Sequence, residues 1–218
     1  MIKTIIYDLD DLMVNSIKLH RKANQKVLHD YDVDPGNLPE TLTNKFVGRR
    51  VVDILKTFIK EFSLEVDLKN LEERREKIFL KLVRNELETM PGLEESLELF
   101  KNNNFKIAIA SSGTIKYIDL VLNKFNIKNY FNVIVSGDDV KNGKPNPETF
   151  IVATEKLDTP PQNCLVLEDA TNGIESAKQA GCKCVAIKNS YTPQQDLSKA
   201  DKILDSLLNI NMEIINSL

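Results

Sequence analysis

The chain has 218 residues, 42% of them hydrophobic and 28% charged, a composition typical of a soluble globular protein with room for a core domain and a smaller one. Its formal net charge is -3, which argues against broad binding to nucleic acid or to an anionic membrane. The first apolar run is too short for a signal peptide or a membrane span, so we predict a cytoplasmic protein.

Short apolar runs that are typical of buried strands recur along the chain. They are residues 2–7, 105–110, 133–136, 164–167 and 184–187, with a weaker run at 202–204. Helical patterns alternate with the later runs, for example at residues 115–125 and 172–180. This alternation predicts an α/β fold with a Rossmann-like parallel sheet as its core.

The first strand is separated from the second by a long stretch without a strand signal. Helical patterns occupy it, notably at residues 51–62 and 71–88, and Pro91-Gly92 marks its end. The stretch is too long for one crossover, so we predict a helical cap domain at residues 15–90, inserted into a core of residues 1–14 and 91–218. Within it, Glu73-Arg74-Arg75-Glu76-Lys77 alternates in sign, which is typical of a solvated helix face.

Histidines and cysteines limit the possible chemistry. His20 and His29 are the only histidines, which argues against a histidine-rich zinc site and against a Ser-His-Asp triad. Cys164, Cys182 and Cys184 lie in apolar runs without metal-ligand spacing, so we predict buried, reduced thiols. If the protein is an enzyme, carboxylates must supply its nucleophile and its acid-base group.

Polar or acidic clusters directly follow four of the predicted strands. They are Asp8-Leu9-Asp10, Ser111-Ser112-Gly113, Ser136-Gly137-Asp138-Asp139 and Glu168-Asp169. In an open parallel sheet, ligands bind beyond the carboxyl ends of the strands. We therefore expect these clusters to lie near one another, and this coincidence is the strongest functional signal in the sequence.

The acidic residues among them suit a hard cation. Asp8 and Asp10, one residue apart in an extended segment, point to the same side and could bind a cation or act as nucleophile and acid-base partner. Alternatively, they are two turn aspartates. Glu168 and Asp169 at a second strand end would repel them unless a cation lies between. Magnesium fits, because it takes oxygen ligands and is usually bound together with a substrate phosphate.

Two further segments could bind phosphate. Ser111 and Ser112 lie between a strand and a helix, where hydroxyls and free backbone amides form an anion cradle. Capping of that helix by Ser112 or Thr114 is compatible with this role. Lys144 lies beside Pro145 in a stiff loop that would hold its ammonium in place. The alternative is an exposed lysine in a turn.

The order and spacing of these segments resemble the four motifs of the haloacid dehalogenase superfamily, over nearly the whole chain. Asp8-Leu9-Asp10 matches the first motif, Ser111 the second, Lys144 in GKPNPETF the third, and Glu168-Asp169 in LEDATNGIESAKQAG the fourth. The helical insertion is similar to the cap of the phosphoglucomutase-like branch. That branch includes phosphatases of sugar phosphates and of pseudouridine phosphate.

The resemblance implies a role for each matching residue. Asp8 would attack phosphorus and form an aspartyl-phosphate, and Asp10 would protonate the leaving oxygen and then activate water. The phosphate-binding residues that it implies are Ser111, Ser112 and Lys144. The ligands of Mg²⁺ that it implies are Asp8, Asp10, Glu168 and Asp169.

Two positions depart from the pattern of the superfamily. Asp11 stands where many relatives have glycine, and Asn15 where many have aspartate. Aspartate tolerates the left-handed backbone better than most residues, so the loop can keep its shape. Asp11 nevertheless adds negative charge beside an anionic substrate. Asn15 is predicted to cap the following helix.

We predict a magnesium-dependent phosphatase of small phosphorylated metabolites, namely sugar or nucleoside phosphates. We also predict a monomer without nucleic-acid or membrane partners. The candidate substrate-binding residues of the cap are His20, Arg49, Arg50 and Lys81.

Two alternatives stay open. A β-phosphoglucomutase shares the four motifs, the cap and a histidine placed like His20. The cap arginine on which such a mutase depends would fall at Val51 in this chain, although Arg50 is adjacent. The second alternative is a non-catalytic binding or regulatory protein, for which Asp11 is the only support.

Overall fold

A computed structural model of the protein describes residues 1–218, except for the side chain of Lys45, and its centre is a parallel sheet. The strands are β1 (Thr4–Tyr7), β2 (Lys106–Ala110), β3 (Val133–Val135), β4 (Cys164–Glu168), β5 (Lys183–Ile187) and β6 (Lys202–Leu204). Their order is β3-β2-β1-β4-β5-β6, and each neighbouring pair is parallel. The predicted α/β class and parallel sheet are confirmed.

The apolar strands are buried because helices cover both faces of the sheet. Successive side chains of β1 point to opposite faces. Ile5 and Tyr7 therefore join one hydrophobic cluster, together with Phe100, whereas Ile6 joins the other, together with Phe150. Cys164, Cys182 and Cys184 are buried and free, as predicted.

Four α-helices within residues 15–90 follow β1 in the chain. They are α1 (Ile17–His29), α2 (Glu40–Thr43), α3 (Val51–Glu61) and α4 (Leu68–Glu86). Val27, Leu55, Phe58 and Leu71 of these helices belong to a hydrophobic cluster separate from the two beside the sheet. We call residues 15–90 the cap segment. The division of the chain into a cap domain of residues 15–90 and a core domain of residues 1–14 and 91–218 stays a prediction.

The prediction of a solvated face at residues 73–77 is wrong for Arg75. Its side chain is on the buried stripe of α4, four residues after Leu71 and four before Phe79, and Arg75 is only 3% exposed. Residues four apart on a helix share one face. Alternation of charge along the sequence therefore did not reveal that one arginine of the run points inward.

The remaining helices are α5 (Leu93–Asn102), α6 (Ile115–Lys124), α7 (Glu148–Lys156), α8 (Thr171–Gln179) and α9 (Met212–Asn216). Thr114 caps α6, because its hydroxyl accepts a hydrogen bond from the amide of Tyr117 at 3.3 Å. Throughout the described part of the chain, each helix is too short or too polar to cross a membrane.

Candidate active site

The carboxyl ends of β1 and β4 bring the first and last acidic clusters together. The two strands are neighbours, and Tyr7 is opposite Leu167 in their register. Asp8 and Glu168, the next residues, therefore lie side by side. This is where the strand order reverses, since the chain proceeds from β1 toward β3 and then returns to add β4 on the other side of β1.

Lys144 lies buried between these two carboxylates. Its Nζ donates to Asp8 Oδ1 at 2.5 Å and to Glu168 Oε1 at 2.7 Å, and only 2% of the residue is exposed. Burial alone would lower the pKa of Lys144, but the charges of Asp8 and Glu168 overcome it and raise that pKa above its usual range. Lys144 is thus a charged group of the site, and the alternative of an exposed turn lysine is excluded.

Glu168 is held by bonds on both of its oxygens. While Oε1 accepts from Lys144, Oε2 accepts from the backbone amides of Asp169 at 2.9 Å and Ala170 at 3.1 Å. A Cβ atom at Gly173 would lie 1.7 Å from Oε1, so this position has room for glycine only. The side chain of Glu168 is therefore fixed in the position where it meets Lys144.

Three carboxylates form a group that could bind a cation. Asp8, Glu168 and Asp169 each offer an oxygen, and these atoms lie within 4.8 Å of one another. Asp169 Oδ2 is buried and finds no hydrogen-bond partner among the described residues. Burial, followed by the charge of Glu168, raises the pKa of Asp169 well above its usual range. An unpaired buried oxygen beside two more carboxylates fits a divalent cation with oxygen ligands.

The carboxylate of Asp10 is directed toward different partners. Its Oδ1 accepts a hydrogen bond from the Tyr117 hydroxyl at 2.7 Å and lies 3.3 Å from Nε2 of His20. On the other side of the imidazole, a nitrogen of the Arg75 guanidinium is 2.6 Å from Nδ1. The imidazole also stacks on Phe79, with ring centroids 4.1 Å apart.

These contacts assign the tautomer of His20 and the charge of Asp10. Because a guanidinium can only donate, Nδ1 of His20 must accept from Arg75, and Nε2 carries the hydrogen that faces Asp10. Burial and the charge of Arg75 lower the pKa of His20, which keeps the ring neutral. Burial would raise the pKa of Asp10, but hydrogen bonds from His20, Ser16 and Tyr117 lower it below its usual value.

Arg75 and Tyr117 are two residues of the site that the sequence analysis missed. Arg75 could have been found from its spacing of four from Leu71 and Phe79, which places it on the apolar stripe of α4. Tyr117 lies on the buried face of α6 among apolar neighbours. The pattern of that helix gives no signal that the hydroxyl reaches a carboxylate on another strand.

Asp11 has a structural role at the start of α1. Its Oδ1 accepts from the backbone amides of Ser16 at 3.0 Å and Ile17 at 2.8 Å. The predicted cap by Asn15 is wrong, since its Oδ1 is buried without a partner among the described residues. Asp11 does take the left-handed backbone that was predicted, with φ of 63°. Burial, followed by the charge of Asp10, raises the pKa of Asp11 to about 7.

The cap segment contacts the strand ends directly. The Ser112 hydroxyl donates to the carbonyl of Gly48 at 2.9 Å, and Nδ2 of Asn172 donates to the carbonyl of Val47 at 2.7 Å. These bonds hold the loop before α3 over the site. Phosphate binding by Ser112 stays a prediction, because its hydroxyl bonds to the cap segment here.

A cavity of about 330 Å³ lies between the cap segment and the strand ends. Asp8, Asp10, His20, Arg49 and Arg75 line it, and so does an apolar wall formed by Phe46, Val51, Ile54 and Phe58.

The other two candidate substrate-binding residues of the cap segment lie elsewhere. Arg50 is held by Asp53 at 3.0 Å and by the carbonyl of Val140 at 3.2 Å. Lys81 lines a second cavity, with Lys26 and Glu86. The structure therefore brings two of the four candidates, His20 and Arg49, to the cavity beside Asp8.

Comparison with known proteins gives the same picture. Residues 5–187 match the family of haloacid dehalogenase-like hydrolases. A phosphorylated carbohydrates phosphatase from Thermotoga maritima is 28% identical over 98% of this chain and 100% of its own length. A solved β-phosphoglucomutase from Clostridium difficile is 27% identical, with a TM-score of 0.86 over 100% of this chain and 96% of that one. CbbY from Rhodobacter sphaeroides, solved with phosphate, has a TM-score of 0.86 at 24% identity over 96% of both chains, which shows the fold alone.

Proposed function

The chain belongs to the haloacid dehalogenase-like hydrolases and is a phosphoric monoester hydrolase for small phosphorylated compounds, and from this premise we propose a magnesium-dependent reaction through an aspartyl-phosphate on Asp8. One observation carries the proposal. The buried ammonium of Lys144 joins Asp8, which lines the cavity, to Glu168 beside the unpaired oxygen of Asp169. This arrangement suits phosphoryl transfer, which depends mainly on positioning and charge neutralisation.

In the first half of the reaction, a carboxylate oxygen of Asp8 bonds to phosphorus while the bond from phosphorus to the ester oxygen breaks. The proton that the departing oxygen needs comes from the carboxyl group of Asp10, which also lines the cavity. Lys144 offsets the repulsion between the anionic nucleophile and the phosphate, because its charge lies 2.5 Å from Asp8.

In the second half, a water molecule attacks the phosphorus of the aspartyl-phosphate. The carboxylate of Asp10 takes a proton from that water, and the bond between phosphorus and the Asp8 oxygen breaks. Inorganic phosphate leaves, Asp8 is a carboxylate again, and Asp10 is protonated for the next turnover. The lowered pKa of Asp10 favours the ionised form that takes this proton, whereas the first half proceeds from the protonated form that the second half regenerates.

A divalent cation would be held by Asp8 and Asp169, with Glu168 orienting Lys144 beside them. When bound, it neutralises charge on the phosphoryl oxygens and orients the phosphate for attack. Support for such a cation comes from Asp169, whose buried oxygen lacks a hydrogen-bond partner among the described residues. Burial and the charge of Glu168 raise its pKa, and the charge of Lys144 offsets only part of that rise. We propose Mg²⁺, because oxygen ligands and a shared phosphate are its usual environment.

The proposed substrates are sugar or nucleoside phosphates. The mutase alternative is not favoured, because the place of the arginine on which a mutase depends is filled by Val51, which lines the cavity without a charge. The non-catalytic alternative loses its support, because the carboxylate of Asp11 serves the start of α1. A monomeric state, a cytoplasmic location and the absence of nucleic-acid partners stay predictions.

The test is release of inorganic phosphate from hexose, pentose and nucleoside monophosphates, with Mg²⁺ and with EDTA. Metal-dependent release from one class would support the proposal and name the substrate class. Consumption of β-glucose 1-phosphate without phosphate release, once a bisphosphate primer is added, would identify the mutase instead. The absence of both reactions would contradict the proposed function.

We expect Mg²⁺ to raise the melting temperature of the protein and Asp169→Asn to remove that effect. Saturation to 100 times the dissociation constant adds about 2.7 kcal/mol to the free energy of unfolding, which corresponds to roughly 5–10 °C for a chain of this size. Thermal unfolding with Mg²⁺ and with EDTA measures the shift without any substrate.

In EDTA, where no metal is bound, Asp169→Asn should leave the free energy of unfolding unchanged or raise it. A carboxyl whose pKa is raised on folding stabilises the fold below its unfolded pKa of about 3.9, and this contribution is lost as the pH rises through the folded value. Asp169→Asn removes that loss, so at neutral pH without metal the variant should be at least as stable as the parent. Asp205→Asn, on an exposed ion pair with Lys188, is the matched control. A parental Mg²⁺ shift in Asp169→Asn would exclude Asp169 as a ligand.

A further inference from the structure

Among the described residues, Tyr117 is the one partner of Asp10 that comes from a helix outside the cap segment. It lies in the first turn of α6, is 2% exposed, and donates its hydroxyl hydrogen to Asp10 Oδ1 at 2.7 Å. Its ring packs edge-on against Phe79, with centroids 4.9 Å apart. A Cβ atom at Gly113 would lie 2.7 Å from the ring, so the glycine gives the tyrosine its room.

The phenol and the imidazole approach the same oxygen of Asp10 from two different elements. The hydroxyl of Tyr117 comes from α6, and Nε2 of His20 comes from α1, at 2.7 and 3.3 Å from Oδ1. About a fifth of the Asp10 side chain, 22%, stays exposed. These two donors on Oδ1 restrict rotation of the carboxyl group, and Oδ2 takes part in neither bond. The Ser16 side chain of the cap segment is a further hydrogen-bonding neighbour of Asp10.

Tyr117 itself keeps its proton under ordinary conditions. Burial, followed by the charge of Asp10, raises the pKa of its hydroxyl well above the usual range. The phenol hydroxyl is directed at Asp10 Oδ1 at 2.7 Å and acts there as a hydrogen-bond donor. Its contribution to a reaction is therefore to hold Asp10.

We propose that Tyr117 is a positioning residue, which holds Asp10 Oδ1 so that Oδ2 faces the ester oxygen of the substrate. The inference rests on the proposed acid-base role of Asp10. In the first half of the reaction, the proton moves from Asp10 to the departing oxygen as the bond to phosphorus breaks, and Tyr117 gains and loses nothing. Tyr117 then matters most for substrates whose leaving oxygen needs that proton.

This dependence on the leaving group provides the test. We expect Tyr117→Phe, which removes one oxygen and keeps the ring, to lower kcat/KM about tenfold for the best alkyl phosphate substrate, a part of the 10²–10⁴-fold that general acid catalysis contributes. For p-nitrophenyl phosphate, whose leaving group departs as a stable anion, kcat/KM should change less than about twofold, since no proton is needed.

One control variant completes the design. Tyr130→Phe is the matched control, because the hydroxyl of Tyr130 bonds to Glu98 away from the cavity, and it should leave both substrates unaffected. Similar losses on both substrates would assign Tyr117 a merely structural role and overturn the inference, and so would no loss on either. Failure of the parent protein to release phosphate from both esters would instead refute the proposed function, and the inference with it.

Discussion

Asp8→Asn is expected to abolish phosphate release, with kcat falling by about 10⁴-fold or more, as when the nucleophile of a covalent enzyme is removed. The amide has nearly the shape of the carboxylate but cannot bond to phosphorus as an anion. Lys144 keeps its second partner, Glu168, at 2.7 Å, so the fold should persist. Phosphate release measures the loss, and circular dichroism checks that the variant is folded.

The same experiment can show the covalent step directly. Rapid acid quenching of the parent protein during turnover should leave phosphate attached to a peptide that contains Asp8, and the variant should show none. Asp119→Asn is the matched control, because Asp119 of α6 forms an exposed ion pair with Lys128, which follows that helix. Turnover of Asp8→Asn above about a hundredth of the parental rate would contradict a nucleophilic role.

The strand ends could be predicted from the sequence because burial and chemistry change abruptly there. Each buried strand of a parallel sheet is a continuous apolar run, so the first acidic residue after it marks the edge of the sheet. Asp8 and Glu168 were identified in this way, and their strands proved to be neighbours. Lys144 was found through its prolines and the motif resemblance, although its complete burial was not predicted.

The surroundings of Asp10 could not be predicted in the same way. Tyr117 and Arg75 come from helices far apart in sequence, and only the packing of α4 and α6 brings both near His20. A buried polar group on an apolar stripe looks like any core residue until its partner across the interface is known. Asp11 is a similar case, because the helix start that it caps lies five residues further along the chain.

The network around Asp10 also connects the cap segment to the chemistry. His20 and Arg75 belong to the cap segment, whereas Tyr117 belongs to α6. The bonds of Ser112 to Gly48 and of Asn172 to Val47 hold the same segment over the cavity. The position of Asp10 is therefore set by donors from both the cap segment and α6.

Lys144→Met is the second substitution with a large expected effect, because it removes a buried charge from between two others. Its ammonium bonds to Asp8 and Glu168 and lies 4.7 Å from the centre of the Phe150 ring. Breaking a buried ion pair by removing one partner costs about 3–5 kcal/mol, since the opposite charge stays buried without compensation. We expect a decrease of that size in the free energy of unfolding near neutral pH in EDTA, measured by urea denaturation, together with loss of phosphate release.

The pH dependence distinguishes a lost charge from a lost side chain. Burial already raises the pKa of Asp8 and Lys144 opposes it, so without the ammonium the pKa rises further. A carboxyl group whose pKa is raised on folding stabilises the fold below the unfolded pKa of about 3.9, and this contribution is lost as the pH rises through the folded value. The decrease in the free energy of unfolding caused by Lys144→Met should therefore be larger at about pH 8 than at about pH 5. A deficit independent of pH would mean that packing, and not charge, holds Lys144 in place. Lys156→Met, on an exposed pair with Asp139, should cost at most about 1 kcal/mol at either pH.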